Sequence, residues 1–428
     1  MSTYVNQCPM KGIINTTSNS NFSYAHSVLK SLSCLDVTKE FVKLIVFENI
    51  NPNFLLTKEL YALIYVLNGG KEGLSNDIIQ KFKDCYEKNK ANIQSQNVLK
   101  EDPFHFLFFL LQFTHLESNV LKNPNYDINL LTKQSLNNKQ NDDFMYKLFV
   151  EFFNQTQNSL IAENFFNIER YLYQCPNCSQ YFNYGMKTVL RIDVEDVWKY
   201  ANSNNTIYSM NNNNKINLGD CFNNYNDKIT TSCENCGNQS TTKWVKICIP
   251  ARVLIIVFER KNHPFNNDIN FPVDLNMIPF VSQKINNMLN LNTNYALSSC
   301  ISYDHNSSNY FADCCIKTQN GNNFYRFINN QIMPININDI YQYEPQVLIY
   351  ELKNQNNNNN NYVYLQNTMN NNNYYNNGIN STNSINSTNS TNSINNSQFS
   401  NLYSNSSINS NNQISNQFIN NNINNMMI

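Results

Sequence analysis

Two short cysteine pairs carry the clearest chemistry in this sequence. Cys175-Pro-Asn-Cys178 and Cys233-Glu-Asn-Cys236 each separate two thiols by two residues. This is knuckle spacing: a tight turn lets both sulfurs grip one ion while backbone N–H groups point at them. Four thiolates form a closed tetrahedral site, the structural arrangement for zinc, with no position left open for catalysis. A redox reading fits less well, because a thioredoxin-like site needs one pair and here there are two. Cys221 and Cys248 fall in helix-like and strand-like contexts and read as core residues.

A second stretch has the form of a nucleophile site without its nucleophile. Gly12 to Leu32 reads GIINTTSNSNFSYAHSVLKSL, a polar turn running into helical apolar spacing at Val28, Leu29 and Leu32. A helix N-terminus entered from such a turn offers partial positive charge and free N–H groups, which favour a thiolate and then an oxyanion. The turn supplies serines, Ser20 and Ser23 among them, and no thiol. Cys8 precedes it and Cys34 follows the helix, while Cys314 and Cys315 fall on a predicted strand. None of these pairs visibly with a histidine, so all four read as structural or inert.

The elements that must position these residues follow from apolar spacing. From about Asn15 to Leu131 the pattern is largely helical, including Phe41–Phe47 and Leu60–Leu67. Asp102-Pro103-Phe104 predicts a helix start, with Asp as N-cap and Pro in the first turn. The following FHFLFFLLQFTHL is apolar nearly all round and should be buried on most faces. After Ser159 the character changes to a cysteine knuckle and strand-like runs. Ile249 to Phe258 predicts a buried central strand, too apolar to face water, and Tyr295 to Leu352 predicts several more.

Composition narrows the classes. The chain has 428 residues, 41% hydrophobic and 14% charged, with a formal net charge of -1, which gives no electrostatic reason to expect nucleic acid or an anionic membrane. No apolar run reaches the roughly 18 residues of a membrane helix, and the first residues lack a signal-peptide pattern. With 12 cysteines but no export signal, the paired CxxC motifs predict metal in a reducing compartment, cytoplasmic or nuclear. Residues 202–215 are an Asn-rich insertion. Residues 354–428 are Asn/Ser-rich low complexity that cannot bury enough apolar surface to fold, hence a disordered tail.

Taken in order over about residues 10–353, these segments resemble the ubiquitin-specific proteases. Gly12, Ile13, Ile14, Asn15, Asn21, Tyr24, Ser27, Leu29 and Leu32 match that family's cysteine box, GLxNxGNTCYxNSxLQxL. EDPFHFLFFLLQFTHLE is similar to its QDAHEFLxxLLDxLHEE helix. Phe271-Pro-Val-Asp-Leu275 is similar to FPxxLxL, and QVLIYEL to the closing YLLFYER strand. Tyr295–Tyr303 and Ser308–Ala312 align with the histidine box, YxLxAVIxHxGxxxxGHYxAY.

The resemblance implies an α+β papain-like fold over 1–353: a helical thumb, zinc-ribbon fingers at about 159–248 and a β-rich palm. It places structural Zn2+ on Cys175, Cys178, Cys233 and Cys236. It also implies degenerate chemistry. The nucleophile position holds Ser23 when aligned from the right and Ser20 when counted from Gly12. The base position holds Asn309, and the third position falls on Ile328, with Asn329 one step off. Asn15 matches the oxyanion side chain, and Phe104 and Tyr310 match neighbours of a bound ubiquitin tail. His305 falls in a variable loop and reads as a surface residue. The expected function is therefore a non-catalytic domain binding ubiquitin, a ubiquitin-like protein or another protein. The alternatives are an active deubiquitinase with rearranged residues and a pure scaffold.

Overall fold

The computed structural model describes residues 22–39, 55–68, 76–93, 101–119, 138–203, 216–260, 269–318, 321–328 and 331–353. The Phe41–Phe47 run, residues 204–215 of the Asn-rich insertion and the tail from 354 lie outside the described residues. All the described segments fall within one compact unit, Met1–Asn372.

Helix α1 (Ser23–Cys34) is buried on every side, with eleven of its twelve residues in the interior. A helix this buried must satisfy its own polar groups. Ser27 Oγ donates to the Tyr24 carbonyl at 2.7 Å, and Ser33 Oγ to that of Lys30 at 2.8 Å. The chain leaving α1 is pinned by the last strand, where a Glu351 oxygen accepts from Asp36 N–H at 2.9 Å. Helices α2 (Leu55–Leu67), α3 (Asn76–Ile93) and α4 (Pro103–Ser118) pack around it. The α4 start is as expected: Asp102 accepts from His105 N–H at 2.8 Å, with Pro103 at the first position. Phe106 is the hub of this layer, its ring meeting those of Phe22, Tyr24, Phe82 and Tyr86. Truncation of such a ring to Ala typically costs about 3–5 kcal/mol.

Helices α5 (Asp142–Thr156) and α6 (Leu160–Phe165) lead into a four-stranded sheet in the order β2-β1-β6-β5. Its strands are β1 (Asn167–Cys175), β2 (Ser179–Lys187), β5 (Lys228–Thr231) and β6 (Thr241–Ile249). The larger sheet runs β13-β12-β11-β10-β14-β7-β3, with β9 (Asp274–Asn276) paired to β10. Its strands are β3 (Leu190–Asp193), β7 (Val253–Glu259), β10 (Asn294–Asp304), β11 (Asn309–Thr318), β12 (Gly321–Ile328), β13 (Gln331–Ile335) and β14 (Glu344–Leu352), while β4 (Ile216–Asn217) and β8 (Ile269–Asn270) form a separate parallel pair. Every pairing in that order is antiparallel except β3 with β7.

Strand β7 shows why the sheet needs cover on both faces. Val253, Ile255 and Val257 belong to the core shared with α1, while Leu254, Ile256 and Phe258 belong to a second core. That second core is closed by α7 (Val194–Ser203) and α8 (Leu218–Tyr225). The apolar run expected from Ile249 is split, because Pro250 ends β6 and a new strand begins at Val253. Strand β7 is buried as expected, but it lies next to the sheet edge rather than at its centre. No described helix is long and apolar enough to cross a membrane.

Candidate functional site

The cysteine pairs meet. Each knuckle sits at the tip of a hairpin, the first between β1 and β2, the second between β5 and β6. Because β1 and β6 are antiparallel neighbours, the tips converge. The sulfurs of Cys175, Cys178, Cys233 and Cys236 all lie within 4.8 Å of one another. Cys175 Sγ is 3.6 Å from Cys236 Sγ, and Cys233 Sγ is 4.0 Å from Cys178 Sγ. Tetrahedral zinc with Zn–S bonds of about 2.3 Å sets its sulfurs about 3.8 Å apart, so the donor set and its spacing fit such an ion.

The turns are built alike. The residue after each second cysteine takes a left-handed conformation: Ser179 at φ 62 and Gly237 at φ 72. Burial raises the Cys233 thiol, but the Tyr181 hydroxyl and the N–H groups of Asn235 and Cys236 outweigh it and bring it down to about 6. Cys178 is pushed up to about 12, chiefly by the thiol of Cys236. Four sulfurs this close cannot all ionise unless a cation sits among them. Cys221 and Cys248 are buried in α8 and β6, as core residues.

The second site lies where α1 meets the large sheet. Ser23 is the first residue of α1, and its Oγ accepts the backbone N–H of Tyr310 at 3.2 Å. The structure thus brings the start of α1 against the start of β11, one residue from Asn309. The Asn309 amide is turned away, Nδ2 donating to the Ser307 carbonyl at 2.8 Å. Ile328 ends β12, opposite Gln331. Tyr325 and Phe327 pack in the α1 core and Phe324 in the other, so alternation places Ile328 on the face turned from α1. Asn15, Ser20, Asn329 and Cys8 lie outside the described residues.

Three of the four described histidines have polar side-chain partners of their own. His26 is buried, its Nδ1 has no partner, and burial holds it down at about 4. His115 is likewise lowered to about 4 by burial, and its Nδ1 meets Ser159 Oγ at 2.6 Å. His105 Nδ1 is 2.7 Å from an Asp102 oxygen. His305 proves to be more than a free surface residue: its Nε2 is 2.6 Å from Glu344 Oε2, and Arg260 holds the other Glu344 oxygen at 2.9 Å. Among the described residues, then, no imidazole is hydrogen-bonded to Ser23. His263 lies outside them.

Two aromatic residues named from the sequence, Tyr310 and Phe104, are half-buried. The Tyr310 ring is 4.9 Å from that of Tyr303, tilted by 55°, and the Tyr303 ring is in turn 4.9 Å from that of His305. Burial, with smaller contributions from Asp102, Tyr303 and Glu344, raises the Tyr310 phenol to about 12, so it stays a neutral donor. Phe104, on the first turn of α4, lies under the Arg191 guanidinium at 5.1 Å. Both rings border the α1 core. Behind β11, on the face away from α1, Arg326 makes two 2.8 Å bonds to Asp313 and lies against both Phe311 and Tyr343, at 4.6 and 4.5 Å from their ring centres. Sequence spacing gave no sign of that pair, since only the β11–β12 register sets Asp313 opposite Arg326. Chemically, the junction offers a hydroxyl at a helix N-terminus, a backbone donor and an amide without usable basicity.

Residues 11–350 match the family described as ubiquitin carboxyl-terminal hydrolase. No curated protein matches the chain. Among solved structures, a yeast SAGA DUB module carrying an Sgf73 mutant aligns with TM-score 0.53 at 17% identity, covering 81% of this chain and 69% of that one. The Ubp8/Sgf11/Sus1/Sgf73 module bound to monoubiquitin aligns with TM-score 0.52 at 16% identity over 81% and 70%. The same module bound to ubiquitin aldehyde gives 0.53, 18%, 81% and 70%. These likenesses show a shared fold, and the family match spans most of the sequence: the chain belongs to the ubiquitin carboxyl-terminal hydrolase family, in its ubiquitin-specific-protease form.

Proposed function

We propose that this chain is a catalytically inactive member of its family, spanning residues 1–353, that binds ubiquitin, a ubiquitin-like protein or another protein partner. It would do so inside the cell, in cytoplasm or nucleus, with a structural zinc ion on its four knuckle cysteines. One observation carries the reading. Ser23, which the family resemblance aligns with the nucleophile, accepts from Tyr310 N–H, and Asn309, aligned with the base, has its amide turned to Ser307. Isopeptide hydrolysis needs a nucleophile and a proton acceptor held against it. An amide cannot accept that proton near neutral pH, and a serine hydroxyl depends on a base more than a thiol does. Solved modules of the same fold carry monoubiquitin or ubiquitin aldehyde, which supports ubiquitin as the first partner to test.

The test is cleavage of a fluorogenic ubiquitin substrate, labelling by an electrophilic ubiquitin probe, and a titration of isotope-labelled ubiquitin. Wild-type protein should shift ubiquitin resonances yet neither cleave nor label, and Ser23→Cys alone should stay inactive. Ser23→Cys with Asn309→His should exceed either single change, by about 100-fold if the new imidazole acts as general base. Cleavage by the wild type above a heat-killed control overturns the reading. One feature favours that second outcome: His305, on the turn leading into β11, is already oriented by Glu344. If the wild type cleaves and His305→Ala does not, the enzyme uses a rearranged base.

A further inference from the structure

The four-stranded sheet carries a second feature, remote from the metal cluster at its tip. Where the sheet joins the body of the domain, an open groove of about 440 Å³ runs between β1, β6 and the segment entering α9 (Gln283–Leu289). Its walls include Arg170, Leu172, Trp244, Lys246, Pro279 and Val281. The strand register orders this surface. Arg170 is directly opposite Lys246, and one step along the same face Leu172 is opposite Trp244. The groove therefore presents a pair of cations beside a pair of apolar side chains.

Like charges directly across a strand pair destabilise it unless something neutralises them. Arg170 is served by Asp142 at 2.8 Å, but Asp142 also accepts from Lys284 at 3.2 Å. Asp143 pairs with Lys284 as well. Arg170 and Lys284 thus take up both carboxylates, and Lys246 has no hydrogen-bond or ion-pair partner among the described residues. Lys246 is only half exposed, and burial lowers its pKa. A half-buried ammonium without a counter-ion, next to a half-exposed Trp244, is a surface shaped for an anion with an apolar neighbour.

We propose that this groove docks an extended segment of a partner protein, with an acidic side chain on Lys246 and a large apolar side chain against Trp244 and Leu172. The spacing follows from the strands: Lys246 and Trp244 are two residues apart, about 7 Å, the interval between alternate side chains of an extended peptide. The segment would therefore carry Asp or Glu two positions from an apolar residue. The chain's own residues 354–428 do not qualify, since they contain no Asp or Glu.

The chain has two tryptophans, so Trp198→Phe leaves Trp244 as the reporter in the zinc-loaded full-length protein. A blocked Glu-Ser-Phe-Ser-Glu peptide, acidic on both sides of the phenylalanine, should change Trp244 emission saturably. The Gln-Ser-Phe-Ser-Gln control should bind about ten-fold more weakly, the loss expected for one charge-assisted bond. Added salt should weaken only the acidic peptide. Lys246→Gln should erase the preference and Lys246→Arg should keep it. Lys243→Gln, on the other face against the Tyr171 ring, should change nothing. Equal affinity for the two peptides, no saturable response, or an unaltered preference in Lys246→Gln overturns the proposal. So does displacement of the peptide by excess ubiquitin, which would make the groove part of the ubiquitin surface. If Lys246→Gln fails to fold, the two-peptide comparison and Lys246→Arg still decide.

Discussion

The knuckle cluster and the α1–β11 junction sit on one scaffold and have fared differently. At the fingertips all four sulfurs converge within 4.8 Å, each turn backed by its own N–H donors. At the junction the supporting elements meet just as closely, Ser23 touching the backbone of β11, but the Asn309 amide beside that contact is turned to Ser307 and no described imidazole reaches Ser23. The cysteine cluster joins two hairpins, so the loss of an ion held there would be felt by the fold. Ser23, Asn309 and Ile328 are partly exposed, so under the proposed reading replacing them would leave the helix and the strand in place. Stability and catalysis are thus separable demands here, and only the first bears on the fingers.

The largest expected effect tests whether the fingers depend on their ion. Cys233→Ser should take bound zinc from one per chain to none and lower the melting temperature sharply, as should a strong chelator on the wild type. Structural zinc sites contribute on the order of 10 kcal/mol in isolated modules, of which a supported hairpin pair would lose only a share. Metal analysis beside a thermal melt checks this, and an unchanged zinc content would break the contrast.

Next comes the palm behind the α1–β11 junction. Asp313→Asn leaves the Arg326 guanidinium buried without its carboxylate, a change that typically costs about 3–5 kcal/mol. Urea unfolding should show that loss while zinc content stays at one per chain. If zinc is lost too, the two regions are energetically coupled and the contrast fails.

Acid offers a third handle, in the thumb. His115 is held at about 4 against an ordinary value near 6.5, because burial disfavours its charged form. The unfolded chain then binds the extra proton between those values, so stability is full above about 6.5 and falls as pH drops toward 4. A shift of this size corresponds to about 3 kcal/mol for a fully buried group. His115→Gln should flatten the profile. Since protonation also releases zinc, the informative quantity is the difference between variant and wild type across that window.

The smallest effect compares the two knuckles with each other. Ser179 adopts the left-handed conformation that Gly237 adopts at the equivalent place, and a side chain is strained there. Ser179→Gly should stabilise the zinc-loaded protein by about 1 kcal/mol or less, part of the gain being offset by the greater freedom of glycine in the unfolded chain. A lower melting temperature in that variant would show that the two turns are not equivalent.

Much of this architecture was legible because its signals are local. Four cysteines in two pairs, the Asp102-Pro103 helix start and the two-faced burial of β7 all follow from adjacent residues. The junction was legible in outline, because the segment order resembled a known family and Ser23 does come to β11. The Ile328 position was less so: strand parity decides which face a side chain takes, and a one-residue alignment shift reverses it. Three contacts were beyond reach. Asp313 with Arg326 depends on hairpin register, His305 with Glu344 on strands far apart in sequence, and the Arg170–Lys246 pair on how β1 meets β6.

Cys178 and Cys233 are 55 positions apart in sequence, yet their sulfurs lie 4.0 Å apart. An ion held by both therefore clasps a long excursion of the polypeptide, and the entropy of closing such an excursion rises only logarithmically with its length. Doubling the interval costs about 0.6 kcal/mol, and adding a dozen residues costs only about 0.2 kcal/mol. The Asn-rich residues 202–215 fall inside that interval. Compositional drift can lengthen or shorten the chain there at almost no thermodynamic penalty, so the clasp makes this part of the sequence free to vary while the hairpins it joins are not.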